Sequence, residues 1–386
     1  MKRSDPMSGN SYFKKLDKIA FEANDDLPSS IQTRIKEEGE RVYREILKPA
    51  SLPARRILIV GGAGYIGVTV SGYLLERGYN VRCLDLDLYN TRGCVAGFLG
   101  RENYEYIFGD HAKSEVMDTA LEDVTDVIIL AGLVGDPITK AYPNEHQAIN
   151  EDGLKNLIAT LDGRGLNKVL FVSTCSNYGE IAEDETANER FELKPLSLYA
   201  KAKVAREQQL LLLRDKVDFS GTILRFATAF GLSARMRFDL TVSEFARELY
   251  EGNNLEVYDA DTWRPYCHVK DFARGLTRVL EMPVSDVYFD VFNAGGDTNN
   301  FTKKMIVDAV QDQISTGKVT YVEGGFDRRN YRVDFSKIRE ALLFEPQFSV
   351  PDGIKEFILA MNQGFFEDYD QRINFYRNNE ISYSFD

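Results

Sequence analysis

A tyrosine and a lysine four residues apart, in Tyr199-Ala200-Lys201-Ala202-Lys203, begin a stretch with helical character and so share one helix face. A phenol titrates near 10 in water. An ammonium about 4 Å away, at an effective dielectric near 20, is worth roughly 4 kcal/mol, or about three pK units. Such a neighbour can hold a phenolate near neutral pH, ready to take a proton from an alcohol. On spacing alone, chance sharing of a helix face is the commoner case. Upstream, Ser173-Thr174-Cys175-Ser176-Asn177-Tyr178-Gly179 gathers hydroxyls at the carboxyl end of a strand expected over 168–173. A hydroxyl there could hydrogen-bond a substrate oxygen; the plainer alternative is a turn whose Ser and Thr satisfy their own backbone. Cys175 has no histidine near it in sequence and reads as a small half-buried thiol.

The element that organises the chain around these residues is Arg56-Ile57-Leu58-Ile59-Val60-Gly61-Gly62-Ala63-Gly64-Tyr65-Ile66-Gly67. It reads as a buried strand, a glycine turn and a helix start. Residues 57–60 are continuously apolar, as in a strand covered on both faces of a parallel sheet. Gly61 lets the chain turn sharply, Gly64 clears space for a pyrophosphate, and Gly67 lets the helix lie against the strand. The helix N-terminus offers N–H groups and partial positive charge to phosphate. A second strand over 79–84 ends at Asp85, which suits both hydroxyls of an adenosine ribose and would repel a 2′-phosphate. The expected cofactor is therefore NAD rather than NADP. Asp87 adds negative charge; Arg82, inside the strand, weighs the other way.

The 386 residues are 44% hydrophobic and 28% charged, ordinary for a globular protein with a large core. A net charge of −13 argues against nucleic acid or an anionic membrane as the main partner, but leaves room for an anionic small substrate met by a few local Arg or Lys. Four scattered cysteines fit a reducing, cytoplasmic setting. His111, His146 and His268 are not spaced for metal ligation, so no metal site is expected. No apolar run is long enough for a bilayer, and the N-terminus lacks a secretory h-region.

Three parts follow from the patterning. Residues 1–54 form a charged extension with one helix, opened by the capping box Ser29-Ser30-Ile31-Gln32 and ended by Lys48-Pro49. Residues 55–228 alternate strands (57–60, 80–84, 104–108, 126–130, 168–173, 221–225) with helices, notably 65–77, 145–161 and 198–214. This predicts a Rossmann-like, doubly wound parallel α/β sheet whose ligands bind at the carboxyl ends of the strands. Residues 229–386 are less regular and read as a smaller substrate lobe, with segments such as 318–322, 336–343 and 353–362 and some returning to the main domain.

The glycine turn, Asp85, Gly109-Asp110, Leu130-Ala131-Gly132, Asn150, the segment 173–179, and Tyr199 with Lys203 occur in one order. Together they resemble the extended short-chain dehydrogenase/reductases, specifically the NAD-dependent nucleotide-sugar epimerases and dehydratases, over roughly residues 55 to 360. The resemblance implies a catalytic Thr174, a base Tyr199, and a Lys203 that holds the nicotinamide ribose and the tyrosine. It implies cofactor contacts from Gly61, Gly64, Tyr65, Ile66, Gly67, Asp85, Asp110 (adenine), Ala131 and Gly132, with Asn150 steadying the active-site end of its helix. Trp263-Arg264-Pro265-Tyr266-Cys267-His268-Val269-Lys270-Asp271 resembles a family motif whose arginine, here Arg264, clamps the substrate pyrophosphate; Ser176, Arg235 and Arg237 would assist. Subunits of this family commonly pair, which implies a homodimer.

Three departures limit what carries over. Cys175-Ser176 stands where the dehydratases have Asp-Glu, which argues against 4,6-dehydration. Val134, followed by Gly135-Asp136-Pro137, stands where hexose epimerases often have lysine. Gly324 occupies the place of a common arginine, for which Arg328, Arg329 or Arg332 could substitute. The expected activity is oxidation at C4 of a nucleotide-diphosphate sugar, as a 4-epimerase. The alternatives are a net 4-dehydrogenase or 4-ketoreductase and, in another class, a non-catalytic NAD-binding scaffold.

Overall fold

The computed structural model describes residues 55–182, 184–325, 327 and 329–385; the helix expected within 29–48 lies outside them. Twelve strands are present among the described residues: β1 Arg56–Val60, β2 Asn80–Asp85, β3 Tyr104–Phe108, β4 Asp126–Ile129, β5 Lys168–Thr174, β6 Ser220–Phe226, β7 Thr228–Phe230, β8 Asn254–Tyr258, β9 Trp263–His268, β10 Asp290–Ala294, β11 Asn300–Thr302 and β12 Lys318–Val322. Seven of them form one sheet in the order β10-β6-β5-β4-β1-β2-β3, and every pairing in it is parallel. This is the doubly wound Rossmann-like α/β arrangement.

The apolar strand runs alternate between two cores, one on each face. Ile57 and Ile59 of β1, with Leu170 and Val172 of β5, point into the layer filled by the helices Tyr65–Glu76 and Val269–Glu281. Leu58, Val60, Val169 and Phe171 point into the opposite layer, where Leu154, Leu157 and Leu210 pack. A strand buried on both sides needs no polar alternation.

After residue 228 the chain crosses between two regions. β10 joins the main sheet beside β6, in register from Asp290 opposite Thr222 to Ala294 opposite Phe226. The remaining segments build a second core around Phe238, ringed edge-on by Phe357, Phe366 and Tyr369. β11-β9-β7 and β12-β8 are its small sheets.

Two sequence expectations change. The helix predicted over 145–161 is three pieces: Pro143–His146, a π-helical turn Gln147–Gly153, and Leu154–Ala159. Asn150 sits in the turn with its amide committed to another loop, a local disruption of the sort π-turns accommodate. Arg82 does not weigh toward NADP. It is buried away from the glycine turn, paired with Glu105 at 2.7 Å and donating to the carbonyl oxygen of Ala120 at 2.9 Å. No helix among the described residues is long and apolar enough to cross a membrane.

Candidate active site

The glycine turn is shaped by backbone contacts. Gly61 has φ +89°, and a Cβ there would come 2.8 Å from the amide nitrogen of Ala131. At Gly67 a Cβ would lie 2.4 Å from the carbonyl oxygen of Gly61, so the helix can approach the turn only without one. Gly64 differs: a Cβ would meet only Gly61 O, at 3.4 Å. The protein has room for a side chain there, so the clearance at Gly64 serves something outside the chain. Gly64 is also the N-cap of Tyr65–Glu76, and no side chain caps that end. Uncapped N–H groups facing a cleared cleft fit a pyrophosphate. Asp85 ends β2 beside this turn. Its carboxylate accepts from the amides of Ala63 (2.9 Å) and Asp87 (2.8 Å), while burial raises its pKa against those two bonds.

The turn opens into a cavity of about 670 Å³ at the carboxyl ends of the parallel strands. Gly61, Gly64, Tyr65, Ile66, Gly67, Asp85, Ala131 and Gly132 line one part of it. Thr174, Ser176, Tyr199, Lys203, Arg235, Arg237 and Arg264 line the rest. Residues far apart in sequence thus share one space of a size that holds small-molecule ligands.

Asn150, expected to steady its helix, and Asp110, expected at the adenine, both lie outside this lining. Asn150 is buried behind the wall, its Oδ1 accepting from Leu133 N at 2.7 Å and its Nδ2 donating to Leu133 O at 2.9 Å. It positions the loop after β4 instead of touching the cavity. Asp110 also lies outside the lining: Oδ1 accepts from Ala112 N and Oδ2 from the Tyr383 hydroxyl, both at 2.9 Å. The C-terminal segment returns to cover that corner, where Ile381 and Tyr383 pack near Leu133, Ile138 and Ile149.

At the reacting end, Thr174 closes β5. Its Oγ1 accepts from Ser176 N at 3.1 Å, which leaves the hydroxyl proton free to donate into the cavity. Ser176 Oγ is 3.1 Å from the Tyr331 hydroxyl. Cys175 faces inward, donating to Arg225 O at 3.2 Å, and burial pushes its thiol well above the usual range, so it is no nucleophile.

The electrostatic expectation for Tyr199 needs correction. Lys203 Nζ lies 5.8 Å from the Tyr199 ring centre and donates to Val172 O at 2.8 Å. Burial raises the phenol above its usual value, and the strongest opposing charge is Arg237, not Lys203. Burial also lowers Lys203, to about 8, with Glu207 opposing. The pair shares a helix face, and burial is the largest cause of the shift of each group.

The far end is rich in paired charges. Arg264 bonds the carbonyl oxygens of Trp263 (2.8 Å) and Arg329, pairs with Asp327 at 3.1 Å and stands over Tyr331. Of the three arginines named as substitutes, Arg328 lies outside the described residues, and Arg329 lines the cavity and pairs with Asp327 at 2.8 Å. Arg332 stands over Trp263 outside it. Arg237 forks onto Asp239 at 3.0 and 2.6 Å. Arg235 bonds Asn378 at 2.7 Å and stands over Tyr89; its charge is felt by Asp85, which places it toward the ribose end. Tyr331, Lys303, Arg377 and Asn378 also line the cavity. None lies in a local motif, so only the fold reveals them.

A parallel sheet with an uncapped helix end over a glycine turn, and a Thr, Tyr and Lys beside it, defines a dinucleotide-dependent enzyme of the extended short-chain type. The chain belongs to the NAD dependent epimerase/dehydratase family, whose model matches residues 57–295, and its cofactor is NAD. It is 29% identical to the low-salt glycan biosynthesis protein Agl12 of Haloferax volcanii, over 78% of this chain and 96% of that protein. It is 25% identical to a UDP-glucuronate 4-epimerase of Thermodesulfobacterium geofontis, over 78% and 94%. In fold it resembles the NAD complex of dTDP-glucose 4,6-dehydratase from Bacillus anthracis, with TM-score 0.72 and 22% identity over 83% of this chain and 100% of that one.

Proposed function

We propose that this protein is a nucleotide-sugar 4-epimerase that oxidises C4 of a nucleotide-diphosphate sugar and reduces it again from the other face. The observation that carries the reading is the convergence of Thr174, Tyr199 and Lys203 with the glycine turn and Arg264 on one cavity. Bound NAD supplies the hydride acceptor and then the donor. The glycine turn and the helix end at Gly64 hold its pyrophosphate, and Asp85 faces its adenosine ribose. Thr174 donates its free hydroxyl proton to the reacting oxygen. Tyr199 takes the proton of that oxygen as a phenolate in the oxidising half and returns it in the reducing half; burial opposes the phenolate and the Arg237 charge favours it. A protonated phenol suits the returning half, when a keto oxygen must receive a proton. Lys203 fixes the helix bearing Tyr199 to β5 through Val172 and presents its remaining protons to the cavity. Arg264, with Lys303 and Arg329 nearby, binds the substrate diphosphate.

The test is Tyr199→Phe, assayed with a panel of UDP- and dTDP-sugars. The variant should retain bound NAD and lose about 10² to 10⁴ in turnover. Interconversion of epimers without net NADH supports an epimerase, and net NADH formation a dehydrogenase. Unchanged turnover in the variant removes Tyr199 from the mechanism.

A further inference from the structure

Among the described residues, Arg235 is the one arginine of the cavity wall with no carboxylate in ion-pairing reach. Arg237 has Asp239, Arg264 and Arg329 share Asp327, and Arg377 lies 3.9 Å from Glu244. Arg235 is nevertheless only 2% exposed. Its two hydrogen bonds, to Asn378 Oδ1 at 2.7 Å and to Arg377 O at 3.4 Å, both come from Nη2. Nε and Nη1 make none and are not sealed inside the protein, so they open on the cavity that the residue lines. Burial and the charge of Arg237 lower the pKa of the guanidinium to about 10. A buried cation without a counter-charge favours an anion brought by a ligand.

Its place is the cofactor end. The residues just before it are fastened to the first turn of the helix that starts after Gly64. Ser233 Oγ donates to Tyr65 O at 2.8 Å, and the Tyr65 hydroxyl donates to Gly231 O at 2.6 Å. On its other side the guanidinium stands 5.1 Å from the ring centre of Tyr89, in the loop that follows Asp85. Arg235 therefore lies between the uncapped helix end and the loop of the ribose carboxylate, where a dinucleotide carries its pyrophosphate. Asn378 holds it there. The same side chain donates to Val134 O at 3.1 Å, in the loop after β4, and its backbone N–H donates to Asp239 at 3.3 Å. The C-terminal segment thus ties the arginine to two walls of the cavity.

We propose that Arg235 binds the pyrophosphate of NAD through Nε and Nη1, and that Asn378 is its positioning residue. The motif resemblance gave Arg235 to the substrate; this gives it to the cofactor. The proposal concerns NAD alone and stands apart from the epimerase reading.

Binding is measured on the full chain without substrate, by titrating NADH fluorescence and displacing the NADH with NAD, ADP-ribose or adenosine. Arg235→Met should weaken NAD and ADP-ribose, which carry the pyrophosphate, by about tenfold or more, and leave adenosine within about twofold. Arg235→Lys, which keeps the charge and loses the planar fork, should show the same selectivity with a smaller loss. It carries the comparison if the methionine variant does not fold. Asn378→Ala should weaken NAD in the wild-type background and add nothing to Arg235→Met, whereas a residue that only braced the fold would weaken NAD equally in both. Unchanged NAD affinity in the Arg235 variants, or an equal loss for adenosine, overturns the proposal. An additive loss in the double variant overturns the role of Asn378. No turnover enters the measurement, so a protein that epimerises nothing can still satisfy it.

Discussion

Lys203 donates to the carbonyl oxygen of Val172 at 2.8 Å, which ties the helix bearing Tyr199 to the strand that ends in Thr174. Burial lowers the ammonium to about 8, so its proton is lost just above neutrality. In the unfolded chain the same proton is lost near the ordinary lysine value, about 10.4. Between those two values the unfolded state holds more protons, and this residue's contribution to stability rises with pH. Cofactor affinity should move the opposite way, falling as pH rises through about 8. Lys203→Arg, which keeps its charge, should carry that fall beyond pH 10. NAD titrations from about pH 6.5 to 10 on both proteins check it.

Asn150 acts on the cavity through Leu133. Asn150→Ala would leave both the N–H and the C=O of Leu133 without their side-chain partner, at about 1–3 kcal/mol for each buried group. Loss of about 2–4 kcal/mol in urea unfolding is expected, together with weaker NAD binding as the loop 130–133 slackens. Asn150→Asp should cost at least as much, because it removes the donor to Leu133 O.

Legibility in the sequence followed locality. β1 and β5 were readable because each holds an apolar run short enough to be a buried strand; β2 and β6, each with an arginine inside, were readable from their place in the strand–helix alternation. The cofactor end of the site was readable for the same reason: Gly61, Gly64, Gly67 and Asp85 lie within a strand–turn–helix–strand unit. β10, Asp-Val-Phe-Asn-Ala, has too few apolar residues to announce a place in the main sheet. The break at Asn150 depends on its contact with Leu133, seventeen residues away. At the substrate end, Tyr331 reaches Ser176 across 155 residues, and Asn378 donates to Val134 O across 244. Such pairings depend on the tertiary path, and helix or strand periodicity does not encode them.

A buried network sits behind the hydroxyl cluster. Arg225 and Glu207 form an ion pair at 2.7 Å, Asn177 donates to Glu207 at 2.8 Å, and Arg225 also bonds the Tyr178 hydroxyl at 3.1 Å. Removing one charge strands the other in a dry interior. Glu207→Gln should therefore destabilise by about 3 kcal/mol or more. Glu207→Leu combined with Arg225→Met should cost less than the two single changes together, with a coupling of about 0.5–3 kcal/mol in a double-mutant cycle.

On the acid side, Glu356 receives a 2.9 Å bond from His268 Nε2 and a 2.6 Å bond from Lys270. His268 Nδ1 accepts from Lys270 N, which leaves the ring proton on Nε2. Burial alone would raise the Glu356 pKa, but these two partners outweigh it and lower it to about 2. A carboxylate lowered on folding stabilises the fold above its unfolded value, near 4.3, and loses that contribution as pH falls toward about 2. Glu356→Gln should thus be less stable than wild type at pH 7, and the gap should close as the pH drops to about 2. Urea midpoints across that range decide it.

The contrast between Gly67 and Gly64 separates fold from cofactor. An alanine at Gly67 would drive its Cβ to 2.4 Å from Gly61 O and 2.6 Å from the Gly62 Cα, both backbone atoms of the turn. Gly67→Ala should therefore cost about 3 kcal/mol, at the upper end of ordinary overpacking, and lower yield. At Gly64 the backbone is extended, with φ −77° and ψ 177°, and the nearest atom to a new Cβ is 3.4 Å away. Gly64→Ala should leave thermal stability within about 0.5 kcal/mol of wild type in the NAD-free protein. Yet the methyl stands where the pyrophosphate must approach, so NAD affinity should fall about tenfold or more. If the two variants instead lose stability alike and bind NAD alike, the pyrophosphate does not lie against Gly64, and the direction of the cofactor across the cavity has to be redrawn.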